Sequence, residues 1–192
     1  MSLLCQPLAF ENLNKCLSER HRHYHNSGHV ADCLAQFDFA SEQLVIENAD
    51  EIEFSIWLHD AIYSPRKSNN EAKSANLAQQ ILRDGGAGQA TIGNIQRLIM
   101  ATKHEAVPLA FDEQLIVDID LSILGRDATA YDAYESAIRR EYAWVPHPMY
   151  AKKRTLVLEA FLERDRIYST DIFFDQFEAA ARDNLRRAIA AL

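Results

Sequence analysis

Apolar residues recur three and four positions apart along most of the chain, which is the spacing of one buried face of an α-helix. In residues 89–103, for example, Ile92, Ile95, Leu98 and Ile99 keep this spacing. The same pattern predicts nine helices, at about residues 8–19, 27–44, 50–63, 68–84, 89–103, 112–124, 128–143, 149–166 and 172–192. We therefore expect an all-α helical bundle.

Residues that favour helix ends mark several of the predicted boundaries. Asp50 is a suitable N-cap for the third helix, and Ser68 with Glu71 matches the S-x-x-E capping box at the start of the fourth. Residues 20–26 separate the first two helices and contain three of the seven histidines of the chain. We predict a polar loop there.

Composition supports a helical fold and a single domain. The 192 residues include only 6 glycines and 5 prolines, too few for the turns of a β-sandwich or barrel. Two of those prolines, Pro146 and Pro148, mark the predicted break between the seventh and eighth helices. Hydrophobic residues make up 48% of the chain, enough for a substantial core. We expect one domain spanning residues 1–192.

The charge of the chain narrows the classes of partner. A net charge of -8 at pH 7 is the wrong sign for binding a nucleic-acid polymer through its phosphates. A small anionic substrate is still allowed, because a metal ion or a few local cations can reverse the potential in one cleft. No run of 18 apolar residues is found, so we expect no membrane span.

The cysteines and the amino-terminal segment suggest a cellular location. Cys5, Cys16 and Cys33 are odd in number and form no C-x-x-C pair, so we interpret them as reduced, structural thiols. The first residues lack the basic and apolar regions of a signal peptide. We expect a cytoplasmic protein.

Four ionisable residues fall on apolar helix faces, where charge is costly. His29 lies on the inner face of the second helix, and His59 with Asp60 interrupts the apolar run 56–62. Asp120 lies within the apolar stripe of the sixth helix. Buried ionisable groups are expected to meet one another or a cation, and two imidazoles with two carboxylates suit a divalent first-row metal. We predict a metal site.

The ordered motifs of this chain resemble the HD-domain superfamily of metal-dependent phosphohydrolases, within a bacterial branch of it. The motifs are Arg22-x-Tyr24-His25-Asn26-x-x-His29, Trp57-Leu58-His59-Asp60-x-x-Tyr63, Asn70-Glu71-x-x-Ser74-Ala75, Thr102-x-His104 and Asp118-x-Asp120-Leu121-x-x-Leu124-Gly125. The resemblance covers about residues 22–150, with the helices in 151–192 packing on this core.

The resemblance implies a ligand set and a reaction. The metal ligands would be His29, His59, Asp60 and Asp120, holding one or two divalent ions (Mn, Mg, Fe, Co, Ni or Zn). Asp60 would also be catalytic, and Asp118 would contact the ligands without binding the metal itself. The reaction implied is hydrolysis of a nucleotide or another small phosphorylated metabolite. Glu71 is a candidate general base, although the capping box explains the same residue.

Three further residues are assigned to substrate binding. His104 and its neighbour Lys103 are expected to contact the substrate phosphate, together with His25. The alternative is a second metal ion held by His25 and His104, since some branches of the superfamily add histidines for this purpose. Two other functions stay open, a non-catalytic nucleotide-binding regulatory module and a di-iron oxygenase, and a homo-oligomer is compatible with the sequence.

Several other residues receive structural interpretations. The sequence Arg139-Arg140-Glu141-Tyr142 is interpreted as a helix surface with local ion pairs. The spaced aromatic residues of the last three helices are interpreted as packing or as a partner surface. They include Tyr131, Tyr134, Tyr142, Phe161, Phe173, Phe174 and Phe177.

Overall fold

The computed structural model describes the backbone of residues 7–192 and the side chains from residue 11 onward. Cys5 lies outside the described residues. Within them the chain forms only helices and their connections, which confirms the predicted all-α class. The helices are α1 (Pro7–Leu17), α2 (Ser27–Ser41), α3 (Ala49–Leu58), α4 (Asn70–Asp84), α5 (Gln89–Ala101), α6 (Phe111–Leu121), α7 (Ala128–Glu141), α8 (His147–Leu162) and α9 (Asp171–Ala191). A 3₁₀ turn, Ser122–Gly125, follows α6 directly.

The start of α4 differs from the prediction. Its N-cap is Asn69, not Ser68, and no side chain makes a capping hydrogen bond there. The predicted capping box is therefore wrong, and Glu71 is left without that structural role. Likewise the N-cap of α3 is Asn48 instead of Asp50.

The end of α3 also differs, and the difference affects the site. The helix ends at Leu58 instead of continuing to Tyr63, so His59 is its C-cap and Asp60 lies in the turn that follows. Ser74 on α4 accounts for this turn, because its hydroxyl accepts a hydrogen bond from the Ile62 N–H at 3.0 Å. A side chain that satisfies the backbone in this way competes with continuation of the helix.

Pro148 lies inside α8 instead of preceding it. Pro146 is the N-cap of this helix, and Pro148 falls in its first turn. Proline is tolerated at that position because the first backbone N–H groups of a helix have no intrahelical acceptor.

The buried side chains form two clusters that share α2, α3 and α5. The larger includes Cys33, Ile56, Ile119, Tyr168 and Phe173 and has members in α2, α3 and α5 through α9. The smaller has members in α1 through α5. Because α2, α3 and α6 pack on one another pairwise, their ends meet at one place, where the candidate site lies. Among the helices described, none is long and apolar enough to cross a membrane.

Candidate metal site and adjoining cavity

The four predicted metal ligands come together in the structure. The Nε2 atom of His29 lies 3.0 Å from Asp120 Oδ1, 3.1 Å from His59 Nε2 and 3.7 Å from Asp60 Oδ2. His59 Nε2 is 3.3 Å from Asp60 Oδ2 and 3.7 Å from Asp120 Oδ1. Two ligand atoms about 2.1 Å from a shared ion lie roughly 3.0 to 3.4 Å apart. Three of the five separations fall in this range, and the other two are 3.7 Å. The ligand atoms of His29, His59 and Asp60 all lie close enough to one another to hold one ion, and His29 and Asp120 belong to a second such group.

Three different elements supply these ligands. His29 is in the first turn of α2, and Asp120 is in the last turn of α6. His59 and Asp60 belong to the end of α3 and the turn after it. The side chains of His59 and Asp60 converge because the two residues lie at the end of α3 and in the turn after it, and not inside the helix.

The ring of His59 is oriented for binding through Nε2. Its Nδ1 donates a hydrogen bond to the Ile56 carbonyl at 2.8 Å, and a carbonyl can only accept. This bond fixes the tautomer that leaves the Nε2 lone pair for a metal, which is the usual support of a ligating histidine.

Burial and charge oppose each other at these ligands. Burial acts to lower the pKa of His59, but the adjacent charges of Asp60 and Asp120 outweigh it and raise this pKa to about 9. Burial acts to raise the pKa of each carboxyl, but the neighbouring histidines hold the pKa of both Asp60 and Asp120 well below the usual value. Both aspartates are therefore charged at neutral pH. A bound metal ion would take the place of the proton on His59 that balances part of their charge.

Cys33 lies beside the ligand set, which its interpretation as a structural thiol did not anticipate. Its Sγ is 3.7 Å from both ring nitrogens of His29, one helical turn away on α2. The side chain is buried, and burial raises the pKa of the thiol well above its usual value. Cys33 thus stays protonated near neutral pH and packs against the ligand ring, although its sulfur is close enough to His29 and Asp120 to serve a metal.

His104 contacts the ligand Asp120. It follows α5 in a left-handed backbone conformation with φ of 58°, which is uncommon for a residue other than glycine. Its Nε2 lies 2.9 Å from Asp120 Oδ2, the oxygen opposite the one that faces His29. The Nδ1 atom is buried and has no hydrogen-bond partner among the described residues. His104 therefore orients Asp120, and its second nitrogen is left for another group.

Glu141 holds His25 in place, although the sequence interpretation put Glu141 on a helix surface. Glu141 is only 4% exposed, so that interpretation is wrong. Its Oε1 accepts hydrogen bonds from three consecutive backbone N–H groups, those of residues 23, 24 and 25. Its Oε2 accepts one from His25 Nδ1 at 2.7 Å and one from the Tyr63 hydroxyl at 2.6 Å. The partners lie at least 78 positions away, so no local pattern reveals them.

The geometry of His25 suits a cationic donor. Burial acts to lower its pKa, but the charges of Asp60 and Glu141 outweigh this effect and raise it. The Nδ1 atom is occupied by Glu141, and the residue lines the cavity described below.

Arg22, Asn70 and Ser74 hold the turn that carries Asp60. The buried guanidinium of Arg22 donates to the carbonyls of Asp60 at 2.6 Å and Ala61 at 3.0 Å. Asn70 exchanges hydrogen bonds with the backbone of Ser64. These motif residues therefore fix the backbone around Asp60, and we assign them no direct part in a reaction.

The three other predicted site residues, Glu71, Lys103 and Asp118, have different surroundings. Glu71 is half-buried in the first turn of α4, near enough for its charge to contribute to raised pKa values of Lys103 and Tyr142. Lys103 lines the cavity and pairs with Glu105 at 2.7 Å. The structure brings Asp118 to the segment before α9, where it accepts hydrogen bonds from Ser169 and Thr170. In the described part of the chain it makes none with the ligand set, which contradicts its expected supporting role.

A cavity of about 600 Å³ opens beside the ligand set. Asp120, His104 and His25 form one part of its wall, so the cavity reaches the candidate metal site. Aromatic and cationic side chains line much of the rest, namely Tyr24, Tyr134, Tyr142, Tyr150, Phe161, Lys103, Lys153, Arg154 and Arg164. The sequence interpretation missed Lys153, Arg154 and Arg164, and it interpreted several of these aromatic residues as packing or as a partner surface.

Comparison with known proteins gives no family assignment. No family model matches the chain, and neither a curated protein nor a solved structure matches it.

Proposed function

We propose that this protein is a metal-dependent phosphohydrolase of the HD-domain superfamily, acting on a nucleotide or another small phosphorylated metabolite. One observation supports the proposal, namely the convergence of His29, His59, Asp60 and Asp120 beside a cavity whose wall contains Asp120 and several cations. A metal site beside a cavity lined by cations is an arrangement suited to phosphate-ester hydrolysis.

The ligand set fits a divalent ion, one of Mn, Mg, Fe, Co, Ni or Zn. Such an ion supplies Lewis acidity toward a phosphoryl oxygen and lowers the pKa of a bound water. The protein's contribution is to keep Asp60 and Asp120 ionised and to hold their positions. The ring of His104 fixes Asp120, and the guanidinium of Arg22 fixes the backbone of Asp60.

Glu71 is proposed as the general base that orients or deprotonates the attacking water. With the predicted capping box absent, no capping bond accounts for this residue. Its charge contributes to the raised pKa values of Lys103 and Tyr142, and both of these residues line the cavity. We expect Glu71→Gln to bind metal as the wild type does and to lower kcat by about 100-fold or more. The matched control is Glu53→Gln, an exposed glutamate on α3, and wild-type turnover in Glu71→Gln would remove Glu71 from the mechanism.

His25 and Lys103 are proposed to bind the substrate phosphate. The raised pKa of His25 favours a charged ring, and Glu141 holds that ring at the cavity wall. A charged donor forms the stronger kind of hydrogen bond to phosphate.

A second candidate function is a di-iron oxygenase. His104 favours this function, because its Nε2 lies 2.9 Å from Asp120. Both His104 and His25 line the same cavity. Two extra histidines beside a His-Asp site are a donor set suited to a second iron.

Elemental analysis of the purified protein, followed by a panel of phosphate esters, tests the proposal. We expect at least one divalent ion per chain in the wild type and in His23→Ala, an exposed histidine outside the ligand set, and none in His59→Ala. Two irons per chain with oxygen uptake would move the assignment to the oxygenase. Tight nucleotide binding without turnover would move it to a regulatory module. No metal after reconstitution with each of the six ions would overturn the proposal.

A further inference from the structure

The wall of the cavity that α8 provides has two chemically different ends. The residues of this wall follow helical spacing from Tyr150 through Val157 to Phe161, and the row continues to Arg164 just past the helix end. Tyr150 and Phe161 are about 16 Å apart along the helix axis. That length accommodates a phosphate at one end and a ring system at the other.

Arg164 gives the cavity an unpaired cation next to the candidate metal site. Its guanidinium donates to the carbonyl of His104 at 3.0 Å, and the ring of His104 bonds to the ligand Asp120. Within the described chain no carboxylate lies within salt-bridge distance of Arg164, which is half-buried. On the same wall Arg154 is paired with Glu135, and Lys153, also without a carboxylate partner in the described chain, is exposed. In a chain with net charge -8, a cation without a carboxylate partner at a cavity wall marks a place for an anion.

The opposite end of the cavity is lined by apolar and aromatic side chains, with the cations Lys153 and Arg154 one helical turn from Tyr150 on α8. Ile138, Val145 and Tyr142 line this end together with Tyr150. The hydroxyl of Tyr150 is buried and has no hydrogen-bond partner in the described part of the chain, although the residue is only 6% exposed. Buried hydroxyls normally have a partner, so this one is suited to meet a polar atom of a ligand.

Resting on the proposed function, we infer that the substrate is a phosphate monoester of a ring-bearing, largely apolar alcohol or phenol. Its phosphate lies between the metal ligands and Arg164, and its ring lies against Ile138, Val145 and Tyr142. The Tyr150 hydroxyl bonds to one polar atom on the ring. In the reaction the oxygen of water forms a bond to phosphorus, and the bond from phosphorus to the ester oxygen breaks with its electron pair. The alcohol then leaves with a proton from that water, and inorganic phosphate is the second product.

The experiment compares three esters that share a phosphate and differ in the leaving group. The metal-loaded protein is assayed with 2-naphthyl phosphate, a nucleoside 5′-monophosphate and glucose 6-phosphate. We expect KM for 2-naphthyl phosphate to be at least tenfold lower than for either of the others. An equal or lower KM for the nucleotide or the sugar phosphate would overturn the inference and leave the proposed hydrolysis standing.

Two matched arginine variants test the anion end. Arg164→Gln is expected to raise KM for 2-naphthyl phosphate about tenfold, because it removes the unpaired charge. Arg166→Gln is the control, since Arg166 is exposed, pairs with Asp171 and stacks on Phe174 away from the cavity. Equal effects of the two substitutions would overturn the assignment of Arg164.

Binding of 2-naphthylphosphonate, measured by calorimetry, separates the inference from the proposed function. This compound keeps the ring and the anion but has no hydrolysable ester bond. Binding that weakens about tenfold in Arg164→Gln, in a protein that hydrolyses no ester, would refute the phosphohydrolase and retain the ligand class. Absence of phosphonate binding in a protein that hydrolyses other esters would refute the ligand class alone.

Discussion

Glu141 shows how a single buried carboxylate can order a loop that carries site residues. It joins the end of α7 to residues 23–25 and to Tyr63 through five hydrogen bonds. Burial acts to raise its pKa, but the bonds from His25, Tyr63 and the backbone outweigh burial and lower the pKa to about 2. A carboxyl whose pKa is lowered by folding stabilises the folded state in its ionised form.

We therefore predict a pH-dependent loss of stability in Glu141→Gln. The stabilisation by Glu141 is fully present above its unfolded pKa near 4.5 and is lost as the pH falls toward 2. At pH 6 the variant should lose on the order of 3 kcal/mol in free energy of unfolding. Urea denaturation at pH 6 and pH 3 should show the deficit shrinking at the lower pH, and Glu53→Gln should show no deficit. A deficit that is the same at both pH values would contradict the role of charge.

Tyr150 leads to a prediction of the opposite sign. Its buried hydroxyl has no partner among the residues described, so Tyr150→Phe should leave the free energy of unfolding unchanged or raise it by about 1 kcal/mol. Tyr131→Phe is the matched control, because the hydroxyl of this buried tyrosine donates to Glu135 at 3.0 Å. Thermal denaturation should show Tyr131→Phe destabilised and Tyr150→Phe not. Clear destabilisation of Tyr150→Phe would mean that its hydroxyl has a partner in solution.

At the scale of the elements, the close contact between α9 and the 3₁₀ turn depends on Gly125. A Cβ at this position would lie 2.5 Å from Phe177 Cβ and 2.6 Å from the Phe177 carbonyl oxygen. The backbone of α9 cannot yield by moving a flexible side chain. Gly125→Ala should therefore lose roughly 3 kcal/mol of stability, which corresponds to a Tm lower by about 6 to 12 °C for a chain of this size.

The control for this prediction is Gly93→Ala. Gly93 lies inside α5, and apart from the adjoining backbone of this helix no atom of the described residues lies within 4 Å of the position of an added Cβ. Alanine is the better helix former, so this substitution should gain about 0.5 to 1 kcal/mol. Calorimetric scans of both variants should move Tm in opposite directions. A Tm for Gly125→Ala at or above that of the wild type would show that α9 can shift to admit the methyl group.

The elements themselves were largely predictable from the sequence, whereas their ends were less so. Helical periodicity located every helix of the described chain, because each buries an apolar face. The ends of α3 and the start of α4 were misplaced because Ser74 and Asn70 bond to the backbone of the intervening loop. Such contacts join positions 6 to 12 residues apart in sequence and leave no periodic signal.

Some residues of the candidate site were also predictable from the sequence, and others were not. Asp120 was recognisable because it interrupts an apolar stripe, and the structure brings it to His29. Lys153 and Arg164 were not recognisable, because cations that line a cavity cannot be distinguished by sequence from cations in contact with water. Only the packing of α8 beside α7 and the loop after α5 distinguishes the two cases. Glu141 was not recognisable because its partners lie at least 78 positions away.

At the scale of the whole molecule, the ligand set joins α2, the end of α3 and α6 at the centre of the fold. A metal ion bound there would link three elements that otherwise meet through apolar packing and mutual ion pairs. Metal binding is then coupled to folding, and a ligand that binds only the folded state stabilises it by about 2.7 kcal/mol at a hundredfold excess over Kd.

The pH dependence of metal affinity follows from the raised pKa of His59. Because the pKa of His59 is about 9, its ring carries a proton at lower pH when no metal is bound. That proton must leave before Nε2 can bind a metal. The apparent Kd for cobalt should therefore fall about tenfold per pH unit from pH 6 to pH 8 and level off near pH 9. Titrations followed by the visible absorption of cobalt measure this slope, and circular dichroism checks that the fold is retained at each pH. A Kd independent of pH over this range would contradict ligation by His59, since the carboxyl groups of Asp60 and Asp120, with their lowered pKa values, do not titrate there.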